Sequence, residues 1–127
     1  MNIGEASGLT GVPAKTIRYY ESAGLLHPVR SGGYYRVYGA REIQVLRFIQ
    51  KARRLGFSVK EVENLLLLWQ DKRRSSAQVR ALATAHIEEI DRKLEELKRI
   101  RETLQTLVHR CHGDDRPDCP IIEELAR

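Results

Sequence analysis

Cysteine is scarce in this chain. Cys111 and Cys119 are the only two among 127 residues. With no third cysteine, one chain offers a metal at most two soft thiolates, and ligand number and softness decide which ion a site prefers. There is no Cys-x-x-Cys of the kind a two-cysteine oxidoreductase would use. A Gly-rich phosphate loop, a Ser-His-Asp set and a dense acid pair are also missing, which leaves an enzymatic reading little support. No run of 18 apolar residues occurs, so no segment reads as a membrane-spanning helix. The opening Met1-Asn2-Ile3-Gly4-Glu5 lacks the basic and apolar regions of a signal peptide. The expectation is a cytoplasmic protein whose thiols stay reduced.

What the chain does have is charge, unevenly placed. It is 42% hydrophobic and 31% charged, with a net charge of +5. Residues 1–74 hold 13 Lys/Arg against 6 Asp/Glu, whereas residues 75–127 hold 9 against 11. That split points to a basic N-terminal unit that meets a polyanion and to a different task for the remainder. The length fits one domain, or one small domain plus a long helix.

Ile3 to Leu9 reads as a short helix, and Thr10-Gly11-Val12-Pro13 as a tight turn. A second helix is expected from about Pro13 to Ser22, with Pro13 as an early helical residue whose missing N–H costs nothing there. Two short helices joined by a glycine-containing turn form a helix-turn-helix. Lys15, Arg18 and Tyr19 share one side of the second helix while Ile17 faces a core, so the helix suits a groove and its phosphates. Arg30-Ser31-Gly32-Gly33-Tyr34-Tyr35-Arg36-Val37-Tyr38-Gly39 predicts a small hairpin, a wing, from which Arg30, Tyr35 and Arg36 could reach phosphates. A third helix is expected over Ala40 to Leu55, with Ile43, Val45, Leu46, Phe48 and Ile49 buried and Arg41, Arg47, Lys51, Arg53 and Arg54 keeping it basic. Ser58 followed by Glu61 is a capping box for a fourth helix ending near Trp69. Leu65-Leu66-Leu67-Leu68-Trp69 is too apolar to lie exposed and is expected to pack between the basic domain and the C-terminal part of the chain.

Beyond a polar break, a long helix is expected over about Ala77 to His109. Ile87, Ile90, Leu94, Leu97, Arg101, Leu104 and Val108 step by alternating threes and fours, the heptad of a coiled coil. A single stripe on a helix of roughly 50 Å needs a partner along its length, and a homodimer supplies one. The heptad puts Arg101 at a core position, as a specificity or edge feature. Cys111-His112-Gly113-Asp114-Asp115-Arg116-Pro117-Asp118-Cys119 then forms a polar loop, and Pro120 to Ala126 a short helix with Ile121, Ile122 and Leu125 on its apolar face, placed to cover the loop. The organisation is residues 1–70, a hinge at 71–76, a dimerisation helix at 77–110, and a loop with its covering helix at 111–127.

These pieces resemble the MerR family of bacterial transcription regulators over essentially the whole chain. The resemblance rests on Ile3-Gly4-Glu5-Ala6, on Thr16-Ile17-Arg18-Tyr19-Tyr20-Glu21 with Gly24-Leu25-Leu26, on Tyr35-Arg36-Val37-Tyr38 and on Leu55-Gly56-Phe57-Ser58. The Cys111 to Cys119 loop with Pro120-Ile121-Ile122 is similar to the copper(I)-responsive, CueR-type branch. One departure is Tyr34, where the family usually has Gly before Tyr-Arg-x-Tyr, so the wing tip is expected to differ. The fold implied is mainly α: an N-terminal winged helix-turn-helix domain, a long antiparallel coiled-coil helix for dimerisation, and a C-terminal metal loop with a short helix. The resemblance implies DNA contacts by Lys15, Arg18 and Tyr20, by Arg30, Tyr35 and Arg36 in the wing, and by Arg53. It also implies a homodimer on a two-fold operator in double-stranded promoter DNA, and a ligand-driven distortion that lets RNA polymerase read both promoter elements.

For the ion, two thiolates suggest a linear S–M–S site suited to Cu(I), Ag(I) or Au(I). Divalent-sensing relatives supply a third cysteine from the start of the partner's long helix; that position matches Ser76 here, beside Ser75. Zinc prefers four ligands. Rival ligands are His109 and His112, so a Cys2His site stays open, while Asp114, Asp115 and Asp118 read as solvating charges. Arg80 from the partner helix is a candidate to offset the negative charge of a bis-thiolate. Two further readings stay open: a thiol redox switch that joins Cys111 to Cys119, and a divalent-metal sensor.

Overall fold

The computed structural model describes residues 1–33 and 35–127, so the departure at Tyr34 lies outside the described residues. The chain divides into two units, Met1–Val79 and Arg80–Arg127, the break falling inside the longest helix.

The first unit begins with α1 (Ile3–Thr10), whose N-cap Asn2 accepts the Glu5 N–H through Oδ1 at 2.8 Å. It ends at Gly11, which adopts φ 77° and donates its N–H to the Ser7 carbonyl. That left-handed cap is why a glycine stands at the turn. Thr10 Oγ1 accepts the Val12 N–H at 3.2 Å, and Val12 is buried. Helix α2 (Ala14–Ser22) comes next. Pro13 sits one position earlier than expected, at the N-cap with ψ 144°, because its fixed φ suits an extended cap as well as a first helical turn.

Strands β1 (Val29–Ser31) and β2 (Tyr35–Val37) pair antiparallel, with Val29 opposite Val37, Arg30 opposite Arg36 and Ser31 opposite Tyr35. Gly32 and Gly33 take φ 58° and 76°, as a tight hairpin connection requires. Helix α3 (Ala40–Arg54) opens with the Gly39 N–H donated to Glu42 Oε2 at 2.9 Å. Helix α4 (Val59–Gln70) opens with the expected capping box: Ser58 Oγ accepts the Glu61 N–H at 3.1 Å and Glu61 Oε1 accepts the Ser58 N–H at 2.9 Å.

The core of this unit gathers Ala6, Val12, Ile17, Leu25, Leu26, Tyr38, Ile43, Leu46, Ile49, Phe57, Val62 and Leu66. Ile17, Leu26, Leu46, Ile49 and Val62 are fully buried, each contributing about 1.5–3 kcal/mol by leaving water. Phe48 is only partly buried; its ring stacks on Trp69 with centroids 4.7 Å apart and planes 4° from parallel. The expectation that Leu65 to Trp69 is too apolar to lie exposed is corrected at Leu67, which is 61% exposed, because only one face of α4 meets the core; Leu66 is buried and Leu65, Leu68 and Trp69 are half-buried.

Helix α5 (Ser76–Arg110) is continuous. Its start is fixed by a second reciprocal cap, Ser75 Oγ accepting the Gln78 N–H at 3.3 Å and Gln78 Oε1 accepting the Ser75 N–H at 3.1 Å. Its apolar stripe lies open: Ile87, Ile90, Leu94, Leu97, Leu104 and Val108 are between 39% and 60% exposed. Ile100 belongs to that stripe as well, and with Leu97, Arg101, Leu104 and Val108 it lines a shallow groove of about 630 Å³. Helix α6 (Pro120–Leu125) ends the chain's regular structure. Among the described residues, no helix is long and apolar enough to cross a membrane.

Candidate metal centre and nucleic-acid interface

Cys111 stands just past the last turn of α5, and its N–H is donated to the carbonyls of Leu107 and Val108. Cys119 is the N-cap of α6, where its carbonyl accepts the Glu123 N–H at 3.0 Å. Both ends of the loop are therefore pinned to helix termini. The result is a pair of free, half-buried thiols with Sγ atoms 3.7 Å apart. No capping hydrogen bond closes on the Cys119 sulfur, yet the N–H groups of Ile122 and Ile121 point positive charge at it. These dipoles, aided by Cys111 and opposed by burial, hold the Cys119 thiol below its usual range, which favours the thiolate a soft metal binds.

The rest of the loop does not join the sulfurs. Among the described residues, no His, Asp or Glu ligand atom groups with the two thiols closely enough to make a third ligand. His109 and His112 are exposed. The Asp114 carboxylate is engaged by Arg116, through Nε at 2.9 Å and Nη2 at 2.8 Å and through its backbone N–H. Those hydrogen bonds hold Asp114 below the usual carboxylate range. The apolar face of helix α6 is covered only in part: Ile121 is half-buried, whereas Ile122 and Leu125 are 62% and 77% exposed. The two-sulfur donor set that remains fits a soft ion. Ser76 is the exposed first residue of α5, and Arg80, also exposed, lies about 45 Å along the helix from Cys111 at 1.5 Å per residue. Within one chain Arg80 cannot reach the sulfurs.

The residues expected to meet DNA divide in two. Lys15 and Arg18 are exposed on α2, with Tyr19 beside them at 53%. Tyr35 is 77% exposed on β2. Tyr20, in contrast, is only 7% exposed, because with Ile17 it forms the buried face of α2, yet it also lines an open cleft with Thr16, Arg53 and Arg54. Arg53 donates from Nη1 to the Phe57 carbonyl at 2.8 Å, which ties it to the turn between α3 and α4. Arg53 also lines a cleft of about 290 Å³ with Gly11, Pro13, Thr16 and Arg54.

The wing arginines converge on Glu21, a residue with no expected role in the sequence. Arg36 Nε lies 2.9 Å and 2.8 Å from the two carboxylate oxygens of Glu21, and Arg30 Nη2 lies 3.6 Å from Oε1. The carboxylate raises the Arg36 pKa further above its usual value. The buried Tyr38 hydroxyl donates to Glu21 Oε2 at 3.4 Å. A lone acid amid Arg18, Arg30 and Arg36 was the available signal in the sequence.

A winged helix-turn-helix with a basic outer face, continued by a long helix that ends in paired thiols, defines a metal-responsive, DNA-binding transcription regulator. Residues 1–68 match the family model described as MerR HTH family regulatory protein, and residues 43–107 match that described as MerR, DNA binding. The chain is similar to the HTH-type transcriptional regulator HmrR of Rhizobium leguminosarum bv. viciae, 58% identical over 126 residues that span 99% of this chain and 98% of the relative. It is similar to the regulator CueR of Escherichia coli O157:H7, 40% identical over 127 residues that span 99% and 94%. Among solved structures, the transcription regulator PbrR691 from Ralstonia metallidurans CH34, in complex with lead(II), superposes with a TM-score of 0.85 at 33% identity over 98% of both chains. The chain belongs to the MerR family of helix-turn-helix transcriptional regulators, and it is not an enzyme.

Proposed function

We propose that the protein is a copper(I)-responsive activator that also answers to Ag(I) or Au(I), binding the ion between Cys111 and Cys119. The observation that carries this reading is the isolated thiol pair: two sulfurs 3.7 Å apart with no third ligand beside them among the described residues. A soft, monovalent ion is satisfied by two thiolates, whereas zinc sites take four ligands. The similarity to CueR agrees with this choice. The protein acts as a homodimer on a two-fold operator in promoter DNA, with the α5 stripe as the dimer seam. Lys15, Arg18, Arg30, Tyr35, Arg36 and Arg53 meet the DNA, and any Tyr20 contact comes from the rim of a buried ring. Metal binding favours a distorted DNA state that RNA polymerase can use. The effector works only through a difference in affinity for the two states, since equal affinity would shift nothing. Ser76 keeps a third thiolate out of the site, and Arg80, from the partner, offsets its negative charge.

A second reading has its own support. A linear site with bonds of about 2.3 Å sets its sulfurs roughly 4.6 Å apart, so the thiols would have to separate by about 0.9 Å. At 3.7 Å they subtend roughly a tetrahedral angle on an ion at that bond length, which suits a divalent metal with ligands drawn from elsewhere. PbrR691, to which the chain is similar, has been solved in complex with lead(II), a divalent ion. The test is anaerobic titration with Cu(I), Ag(I), Zn(II) and Cd(II), read by X-ray absorption and promoter transcription. Two short metal–sulfur distances with no nitrogen, and transcription driven by Cu(I) alone or with Ag(I), are expected. Four ligands with a Zn(II) or Cd(II) response would favour the second reading. Activation by oxidant with no metal response would replace both with a redox switch. Cys111→Ser and Cys119→Ser are each expected to abolish the metal response and leave DNA binding in place.

A further inference from the structure

We infer that Glu21 is a positioning residue for DNA binding: it locks the wing to the recognition helix and aims the Arg36 guanidinium outward. The inference rests on the reading that the wing touches DNA.

The geometry begins with the hairpin register. Arg30 and Arg36 are direct cross-strand partners, so their side chains leave the same face of the wing. Like charges in that relation push apart. Tyr38, two residues beyond Arg36, continues the same face inward and is fully buried. All three side chains meet one carboxylate, Glu21 in the last turn of α2. An acid in that turn is opposed by the helix dipole. It also sits among cations on the side expected to face phosphate. Both costs are local, and the benefit lies between elements: the carboxylate bridges α2, β1 and β2 and screens the arginine pair.

The bonding mode matters as much as the bond. Glu21 takes Arg36 through Nε, the side edge of the guanidinium. Among the described residues the Nη groups of Arg36 have no partner, and the side chain is 35% exposed. An arginine held by Nε presents its two Nη groups as a fixed fork, and a fixed fork loses less freedom when it closes on a phosphate. Glu21 itself is only 16% exposed at its side chain, so it stands behind the arginines and need not touch DNA.

The test uses the full chain and a duplex selected by the wild-type protein from a random-sequence pool, with affinity measured by fluorescence anisotropy across a salt series. Glu21→Gln keeps shape and removes charge. It is expected to weaken binding by about tenfold and to make the salt slope shallower by about 1, the signature of one lost phosphate contact. Arg36→Gln is expected to lose a similar amount, and the double variant no more than Arg36→Gln alone. In the wild type the Arg36 Nε–H resonance is expected to exchange slowly, and in Glu21→Gln to lose that protection. If Arg36→Gln weakens binding while Glu21→Gln binds as tightly as wild type, or if the two losses add, the positioning role is wrong. If Arg36→Gln itself has no effect, the wing-contact reading beneath it fails instead. Should Glu21→Gln unfold, Glu21→Asp decides: its shorter carboxylate is expected to give a partial loss with the fold intact, and wild-type affinity there would overturn the proposal.

Discussion

The two units of this chain are built on opposite principles. Met1–Val79 wraps four short helices and a hairpin around a shared core, so each element is stabilised by residues far away in sequence. In Arg80–Arg127, Leu107 is the one apolar side chain buried among the described residues, and the stripe along α5 stays open. The first unit is stable through its own burial. In the second, helix formation is local, and apolar surface that stays in water contributes nothing to stability until it is covered. The difference teaches that a unit with a shared core is held by burial among distant residues, whereas a single long helix leaves its apolar stripe available to whatever covers it.

Leu46→Ala should strain this comparison most. Leu46 is fully buried, so truncation is expected to cost roughly 2–5 kcal/mol, read by urea or thermal unfolding. A loss below about 1 kcal/mol would mean the first unit is not held by its core. Leu94→Ala is the counterpart in the second unit. At 50% exposure in the single chain it is expected to leave helix content unchanged and to weaken self-association by about 2 kcal/mol, close to thirtyfold, in sedimentation experiments. Unchanged self-association would remove the stripe as the dimer seam. Ser58→Ala removes the side-chain half of the α4 cap and is expected to cost about 1 kcal/mol, seen as a lower unfolding midpoint.

A pH experiment sharpens the contrast from the side of the first unit. Burial, and then the negative charge of Glu21, hold the Tyr38 hydroxyl above its ordinary value of 10.0. Its folded pKa is raised, so its contribution to stability is fully present below pH 10.0 and is lost as pH rises through the folded value. Tyrosinate absorbance is expected to show one delayed titration that merges with alkaline unfolding, and Tyr38→Phe should remove it. Smallest of all, Leu67→Gln is expected to change stability by less than about 0.5 kcal/mol despite lying in a run of leucines, because its side chain is already in water.

Much of the local architecture was legible because its causes are local. The Ser58–Glu61 box, the glycines of the hairpin and the threes and fours of α5 each act within a few residues, and each appears where the pattern puts it. The Ser75–Gln78 cap obeys the same rule, although it lies within a stretch whose composition marks a polar break. Tyr19 and Tyr20 look alike in sequence; the core beside Ile17 decides that Tyr20, at 7% exposure, packs inward while Tyr19, at 53%, stays out. Glu21 was missed for a different reason. Its partners Arg30 and Arg36 lie 9 and 15 residues away and meet it only after the hairpin folds back.

The sequence by itself determined the ingredients: two cysteines and no third, a basic first half, the approximate helix positions and the apolar stripe of α5. These come from composition and from periodicities that need no knowledge of what packs against what. Tertiary structure alone decided which side chains meet. It brought Cys111 and Cys119 to 3.7 Å by ending one helix and starting another at the two thiols. It also gathered two opposed arginines and a buried tyrosine on Glu21, because charge and hydrogen bonding act over a few ångströms of space whatever the separation along the chain.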